Sequence, residues 1–166
     1  MTAFSGKRAL VTGATRGIGY AIAERLLAQG VQVSVTGTLP QGCGPTGTDY
    51  KAVDFTDHTA LRRLAEEIHE AGYDILINNA GINKISPFAD IDPADFARIQ
   101  QVNVTAPFLL ARSVIPSMVT RGWGRIVNIT SVWGKVGRAQ RGPYAASKFA
   151  LDGMSVALAA EVASKG

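Results

Sequence analysis

A tyrosine and a lysine four residues apart are the side chains in this sequence best suited to proton transfer. Tyr144 and Lys148 stand at positions i and i+4, which places a phenol and an ammonium on one face of a helix. A nearby positive charge favours the phenolate and lowers the pKa of a phenol. Tyr144 is therefore predicted to exchange a proton with a carbonyl or alcohol oxygen, and Ser131 to hydrogen-bond the same oxygen. A solvated Tyr–Lys surface pair is the alternative interpretation.

A glycine-rich turn is the second feature with a chemical meaning. Gly13, Gly17 and Gly19 lie between an apolar run and a helical segment. A pyrophosphate can approach the backbone N–H groups at such a helix N-terminus because no Cβ holds it off. The last glycine also lets the helix pack closely on the sheet. A tight strand-to-helix turn that binds no ligand is the alternative.

The end of the second predicted strand bears on the choice of nucleotide. An acidic residue there would hydrogen-bond the ribose 2′-hydroxyl of NAD, but the residues are Thr36, Gly37 and Thr38. Arg16, inside the glycine turn, offers a cation to a 2′-phosphate. The sequence therefore favours NADP(H) over NAD(H).

Short apolar runs alternate with helical segments along the chain. Strands are predicted at residues 8–12, 31–36, 52–55, 74–78 and 124–130, and helices at 18–29, 57–71, 92–119 with a bend near Pro107, and 143–164. Residues 39–48 hold two prolines and three glycines, which predicts a loop. This alternation is typical of a parallel sheet with helices on both faces. The apolar character of the first, fourth and fifth strands indicates strands covered on both sides.

Taken together, these motifs resemble the short-chain dehydrogenase/reductase family. The matching positions come in the family's order and spacing: Thr12-Gly13-x-x-x-Gly17-Ile18-Gly19, Asn78-Asn79-Ala80-Gly81, Asn103, Ser131 and Tyr144-x-x-x-Lys148. The resemblance covers residues 4–166 and is nearest to the 3-oxoacyl-[acyl-carrier-protein] reductase-like members. It implies an α/β fold of Rossmann type, a doubly wound parallel sheet with strand order 3-2-1-4-5.

The resemblance also implies roles for individual residues. Tyr144 would be the proton donor or acceptor, Lys148 would lower its pKa and bind the nicotinamide ribose, Ser131 would orient the substrate oxygen, and Asn103 would support a water-linked proton relay to Lys148. The positions implied to bind the cofactor are Gly13, Ala14, Thr15, Arg16, Gly17, Ile18, Gly19, Thr38, Asp54, Phe55, Asn79, Ala80, Gly81, Tyr144 and Lys148. The implied reaction is hydride transfer between NADP(H) and a ketone or secondary alcohol, with 3-oxoacyl reduction as one candidate.

The family's members are usually longer than this chain. Residues 1–166 are expected to form a single dinucleotide-binding and catalytic domain that lacks the family's C-terminal strands and substrate lid. The sequence could be the ordered part of a longer chain, one of two complementary polypeptides, or a genuinely short protein. A non-catalytic nucleotide-binding or interaction module is therefore the alternative function.

Composition narrows the classes of partner. Of 166 residues, 46% are hydrophobic, and the net charge of +4 is scattered without a recognition-helix or stacking pattern, so no nucleic-acid partner is predicted. One cysteine and two histidines argue against a disulfide framework or a metal site. With no secretory signal pattern and no apolar run of membrane length, the expected location is the cytoplasm, away from membranes.

Two further groups of residues bear on substrate and assembly. Lys135, Arg138 and Arg141 suit an anionic or carrier-bound substrate, and a solvated loop is the alternative. Apolar positions on two helices favour a homodimer or homotetramer, with ordinary core packing as the alternative: Val104, Phe108, Leu109, Val114, Phe149, Leu151, Met154 and Leu158.

Overall fold

The sheet consists of five parallel strands. The structure is a computed structural model that describes residues 4–166. The strands are β1 (Arg8–Val11), β2 (Gln32–Gly37), β3 (Asp49–Ala52), β4 (Ile75–Asn78) and β5 (Arg125–Asn128). Every neighbouring pair runs parallel, in the order β3-β2-β1-β4-β5. The predicted fold class and strand order are confirmed.

Helices connect the strands. They are α1 (Gly17–Leu27), α2 (His58–Ala71), α3 (Pro93–Gln100), α4 (Ala106–Arg121) and α5 (Gly142–Val162). The chain passes from α3 to α4 through a π-helical turn, Gln101–Thr105, so the helical run predicted at 92–119 is continuous and its irregular turn lies just before Pro107. Short 3₁₀ turns occupy Phe88–Asp90, Val132–Gly134 and Ala163–Lys165.

Alternating side chains of β1 point into two separate cores. Leu10 belongs to the cluster formed with α2 and α4, whereas Ala9 and Val11 belong to the cluster formed with α1 and β2. All three side chains are fully buried. A strand in the middle of a parallel sheet has helices on both faces, which is why Ala9–Val11 of β1 and Ile75–Ile77 of β4 are all apolar.

Local sequence rules explain where the helices begin and end. Asp57 begins α2, and its carboxylate accepts hydrogen bonds from the N–H groups of Thr59 and Ala60. Gly72 ends the helix in the left-handed conformation, with φ +66°. Asp92 caps α3 in the same way as Asp57, through the N–H of Ala94. Both predicted helix starts are confirmed.

The third strand lies three residues earlier than residues 52–55, so that prediction is wrong. Asp54 leaves the sheet because its carboxylate accepts hydrogen bonds from the N–H and Oγ1 of Thr56, which turns the chain. The strand itself is polar because it is an edge strand, and Lys51 forms ion pairs with Asp49 and Glu67. A prediction based on apolar periodicity therefore does not detect this polar strand.

The fifth strand is less covered than its apolar sequence indicated. Val127 is 44% exposed, since among residues 4–166 only β4 pairs with β5. A groove of about 720 Å³ follows this outer edge between α4 and α5.

The helical run from α3 to α4 is central to the protein. Within the described part of the chain, Pro93–Arg121 is the one helical run long and apolar enough to cross a membrane. Of its most apolar window, 44% is buried inside the protein, and Leu110 and Val114 are completely inaccessible to solvent. Such burial is typical of the core helix of a globular fold.

Candidate functional site

The turn between β1 and α1 has two positions where a side chain cannot fit. A Cβ at Gly13, whose φ is +63°, would lie 2.9 Å from the Cα of Ala80. A Cβ at Gly19 would lie 2.4 Å from Nδ2 of Asn79 and 2.8 Å from the carbonyl oxygen of Gly13. The predicted close packing of helix on sheet therefore depends on these glycines.

A buried threonine ties this turn to the end of β4. Oγ1 of Thr12 accepts hydrogen bonds from the N–H groups of Asn79 and Ala80, both at 3.0 Å. In return, Nδ2 of Asn79 donates to the carbonyl oxygens of Thr12 and Gly13. The prediction did not assign Thr12 this role, although its buried hydroxyl at the end of an apolar strand was the available signal.

A cleft of about 620 Å³ opens above this edge of the sheet. The predicted cofactor residues that line it are Gly13, Thr15, Arg16, Gly17, Ile18, Thr38, Asp54, Phe55, Asn79, Ala80 and Gly81. Ala14 and Gly19 lie beneath the surface instead. Further lining residues, which the prediction did not assign, are Thr36, Gly37, Val53, Thr56, Ile82, Arg98 and Val102.

The shape and charge of the cleft fit a dinucleotide. Gly17 has a φ of +61° and no atom within 4 Å of where its Cβ would stand, so its backbone is open to a phosphate. Arg16 and Arg98 border the cleft as exposed cations. Asp54 is the one acid among its lining residues. Gly17 and Arg16 would hold the pyrophosphate of a nicotinamide dinucleotide here, whereas the N–H of Gly13 is already donated to Oγ1 of Thr36.

Lys148 is a buried cation beside a tyrosine ring. It is 4% exposed, and its Nζ donates a hydrogen bond to the carbonyl oxygen of Ile129 at 2.7 Å. The same Nζ lies 5.6 Å from the ring centre of Tyr144. Burial lowers the pKa of Lys148, because desolvation disfavours the charged ammonium. No carboxylate of residues 4–166 forms an ion pair with it.

Asn103 lies in the π-helical turn and is completely buried. Its Oδ1 accepts from the N–H of Ile82, and its Nδ2 donates to the carbonyl oxygen of Ile82, both at 2.9 Å. Nδ2 also donates to Oγ of Ser147 at 3.0 Å, and that hydroxyl donates to the carbonyl oxygen of Tyr144. Ser147 was not predicted as a site residue, although a serine directly before Lys148 was visible.

Ser131 caps the start of the 3₁₀ turn Val132–Gly134, in which Trp133 lies against Tyr144. Its Oγ accepts a hydrogen bond from the N–H of Trp133 at 3.2 Å. The Trp133 ring meets the Tyr144 ring edge-on, with centres 6.2 Å apart. Gly134 lets this turn pack on α5, since a Cβ there would come within 3.0 Å of the Lys148 backbone.

The cleft and the buried cluster meet at Gly81. A Cβ at this position would lie 3.4 Å from Oδ1 of Asn103 and 3.8 Å from Nζ of Lys148. The four predicted catalytic residues do not themselves line the cleft. They form one cluster around its end, in which Tyr144 links Lys148 on one side to Ser131, through Trp133, on the other.

A metal site in a protein needs several His, Cys, Asp or Glu side chains close together. Within residues 4–166, no three His, Cys, Asp or Glu side chains lie close enough together to hold a metal ion.

Comparison with known proteins now gives the class. The model of the short chain dehydrogenase family matches residues 7–166, and the chain belongs to that family. It is 40% identical to the 3-oxoacyl-[acyl-carrier-protein] reductase FabG of Salmonella typhimurium over an alignment of 172 positions, gaps included, which covers 98% of this chain and 70% of the relative. It is 39% identical to nodulation protein G of a Rhizobium species, with 99% and 71% covered.

Solved structures agree with this assignment. A metagenomic short-chain oxidoreductase in complex with NADP superposes with a TM-score of 0.90 at 32% identity, over 99% of this chain and 79% of that one. A gluconate 5-dehydrogenase from Burkholderia cenocepacia, in complex with NADP and tartrate, gives 0.86 at 31% identity, over 98% and 68%. The chain is thus an NAD(P)-dependent oxidoreductase with the Rossmann fold.

Proposed function

We propose that this chain transfers hydride between NADP(H) and a ketone or secondary alcohol, with Tyr144 as the proton donor or acceptor. The observation that carries the proposal is the buried Lys148 ammonium, 5.6 Å from the Tyr144 ring and without a carboxylate partner in the described chain. An uncompensated cation beside a phenol stabilises the phenolate. Such a pair is poised for proton exchange with a carbonyl or alcohol oxygen.

The chain's own residues account for the proton and the orientation of the substrate. In reduction, Tyr144 donates its phenolic proton to the carbonyl oxygen, and the Lys148 ammonium stabilises the phenolate that remains. The bound nicotinamide supplies the hydride that adds to the carbonyl carbon, which completes the alcohol. Oxidation of an alcohol reverses both transfers. Ser131 hydrogen-bonds the reacting oxygen.

Asn103 has a positioning role in this proposal. Its amide holds both backbone groups of Ile82, which follows Gly81 and itself lines the cleft. The Oδ1 and the Lys148 Nζ face the same glycine, which supports a water-linked proton relay between them.

The preference for NADP(H) follows from charge at the adenine end of the cleft. Arg16, Arg98 and Thr38 line the cleft, and β2 ends without an acid. We expect NADPH to bind more tightly than NADH. Arg16→Gln should reduce that difference, and equal affinities in the unchanged protein would contradict the preference. Competitive binding of the two nucleotides is the measurement.

The relatives support several finer statements about this chain. The activity after which FabG is named supports a 3-oxoacyl substrate, small or carrier-bound. A cytoplasmic location stays a prediction from the sequence. For assembly as a homodimer or homotetramer, the structure narrows the predicted apolar face. Val114 and Leu151 belong to the chain's own core, while Phe108 and Phe149 are each 49% exposed and remain for contact between copies. Residues 1–166 act in this proposal as one dinucleotide-binding and catalytic domain.

The competing proposal is that residues 1–166 by themselves act as a nucleotide-binding module without turnover. Its support is that neither Tyr144 nor Lys148 lines the cleft beside the glycine turn. It predicts NADPH binding without reduction of any ketone.

One experiment separates the two. The purified 166-residue chain is given NADPH and acetoacetyl-coenzyme A, and NADPH consumption and NADPH affinity are measured for the wild type and Tyr144→Phe. We expect turnover by the wild type, a loss of roughly 10²–10⁴-fold in the variant, and unchanged NADPH affinity. Binding without turnover by the wild type supports the module. Equal turnover by both proteins contradicts the role of Tyr144.

A further inference from the structure

Two arginines stand on one tryptophan beside the proposed proton donor. The Cζ atoms of Arg138 and Arg141 lie 4.9 and 4.6 Å from the ring centre of Trp133. The same ring meets Tyr144 edge-on at 6.2 Å between centres. Both guanidinium groups are therefore one ring away from the phenol.

The charges of these two arginines are not neutralised. Neither guanidinium forms an ion pair or a hydrogen bond with any residue in the range 4–166. By contrast, the third cation of the same loop, Lys135, is paired with Asp152 on α5, so we leave it out of the anion site although the sequence offered it together with the two arginines. A guanidinium that stacks on an aromatic face keeps the N–H donors at its edge free, and these match a carboxylate or phosphate in two parallel hydrogen bonds.

The loop that carries the arginines is held in place rather than free. Gln140, between them, has a φ of +63°, which is left-handed and unfavourable for a side chain of its kind. Its carbonyl oxygen accepts a hydrogen bond from the N–H of Ser86 at 3.2 Å, and the N–H of Arg141 donates to the carbonyl oxygen of Arg138. Positions fixed in this way pre-organise a binding site.

We propose that Arg138 and Arg141 form the anion-recognition site of the substrate, so that the preferred ketone carries a carboxylate or a phosphate. The inference rests on the proposed function, because it takes Tyr144 as the group that faces the reacting oxygen. It names a substrate class that the reaction itself leaves open. The two guanidinium groups over Trp133 hold the anion while the carbonyl lies at Tyr144.

Turnover of charge-matched substrate pairs tests the proposal. Acetoacetate is compared with methyl acetoacetate, and dihydroxyacetone phosphate with dihydroxyacetone, for the wild type, Arg138→Gln, Arg141→Gln and the matched control Lys135→Gln. Each arginine variant should lose about 10- to 100-fold in kcat/KM for the anionic member only. Lys135→Gln should behave as the wild type. The pair that responds distinguishes a carboxylate from a phosphate, and equal losses on neutral and anionic members overturn the proposal.

A binding measurement keeps this proposal separate from the proposed function. The protein has two tryptophans. Trp123 is the control, because two cations, Lys7 and Arg125, also lie over its ring, but Lys7 is already paired with Asp74. Acetoacetate or inorganic phosphate, added to the NADPH-loaded protein, should shift the indole N–H resonance of Trp133 and not that of Trp123. The shift should vanish in the doubly substituted protein.

The outcomes are distinct. A Trp133 shift without turnover of any ketone preserves the anion site and removes the proposed function. Turnover with no Trp133 shift and no discrimination by charge preserves the function and removes the anion site.

Discussion

The nucleotide cleft and the cluster around Lys148 are both polar, but they are built in opposite ways. The cleft depends on missing atoms, since Gly13 and Gly19 allow backbone to approach backbone. The cluster depends on particular polar atoms. Asn103 hydrogen-bonds Ile82 and Ser147, and Lys148 hydrogen-bonds the carbonyl oxygen of Ile129. We therefore expect added atoms to destabilise the cleft and removed polar atoms to destabilise the cluster.

The largest effect should come from adding one carbon to the glycine turn. Gly13→Ala and Gly17→Ala both place a side chain at positive φ, at a cost of about 1–2 kcal/mol each. Only Gly13 also faces backbone, with the Cα of Ala80 at 2.9 Å from its Cβ position, which should add about 1–3 kcal/mol. Free energies of unfolding measured without nucleotide test the difference. Equal losses would show that close approach contributes nothing.

The buried threonine beneath the cleft is one place where that region does depend on a side-chain polar atom. Thr12→Val keeps the shape but removes the acceptor for the N–H groups of Asn79 and Ala80, at an expected cost of about 1–3 kcal/mol in unfolding free energy. Thr12→Ser keeps the oxygen and loses one methyl group, about 1 kcal/mol. A serine variant less stable than the valine variant would contradict this assignment.

In the cluster, a single hydrogen bond should have a smaller effect. Ser147→Ala leaves Nδ2 of Asn103 bonded to the carbonyl oxygen of Ile82, so the net loss should be about 1 kcal/mol. Asn103→Leu removes both contacts to Ile82 as well and should cost more. Denaturant unfolding of the two variants and of their combination measures the coupling. Simple additivity would mean that the two side chains do not act together.

The last prediction concerns how stability depends on pH below 10.5. Burial lowers the pKa of Lys148 below its usual 10.5, so between the lowered value and 10.5 the unfolded chain binds more protons than the folded one. Stability gains from this group as pH rises through that window, and the gain is lost as pH falls. Lys148→Met should therefore give a flatter curve of unfolding free energy against pH. Parallel curves would contradict the lowered pKa.

The two regions also differed in how far the sequence revealed them. The glycine turn of the cleft could be predicted from the sequence, because Gly13, Gly17 and Gly19 lie at fixed offsets after an apolar strand and form a local pattern. The contacts of Asn103 were not, because Ile82 and Ser147 lie 21 and 44 residues away. Their meeting depends on the packing of α5 against the turn between α3 and α4, which no local spacing encodes.

Strand positions show the same limit. The buried strands β1 and β4 follow from continuous apolar runs, whereas β3 was misplaced because an edge strand is stabilised by ion pairs such as Lys51 with Glu67. The limits of α2 were predicted correctly, because Asp57 and Gly72 mark its two ends in the sequence. Sequence reasoning succeeded where burial or a cap is local.

The π-helical turn has a consequence for how this chain tolerates changes of length. Such a turn holds one residue more than a regular α-helical turn. Deleting one residue from Gln101–Thr105 would leave a continuous α-helix in which α3 and α4 keep their relative rotation, because the π-helical turn is what absorbs the extra residue; only the residues of the turn itself would face new directions. The amide of Asn103 would then leave Ile82 while the helix itself lengthened. A deletion that makes the secondary structure more regular would thus dismantle the proposed site, and an alignment gap at this point would mark a functional change.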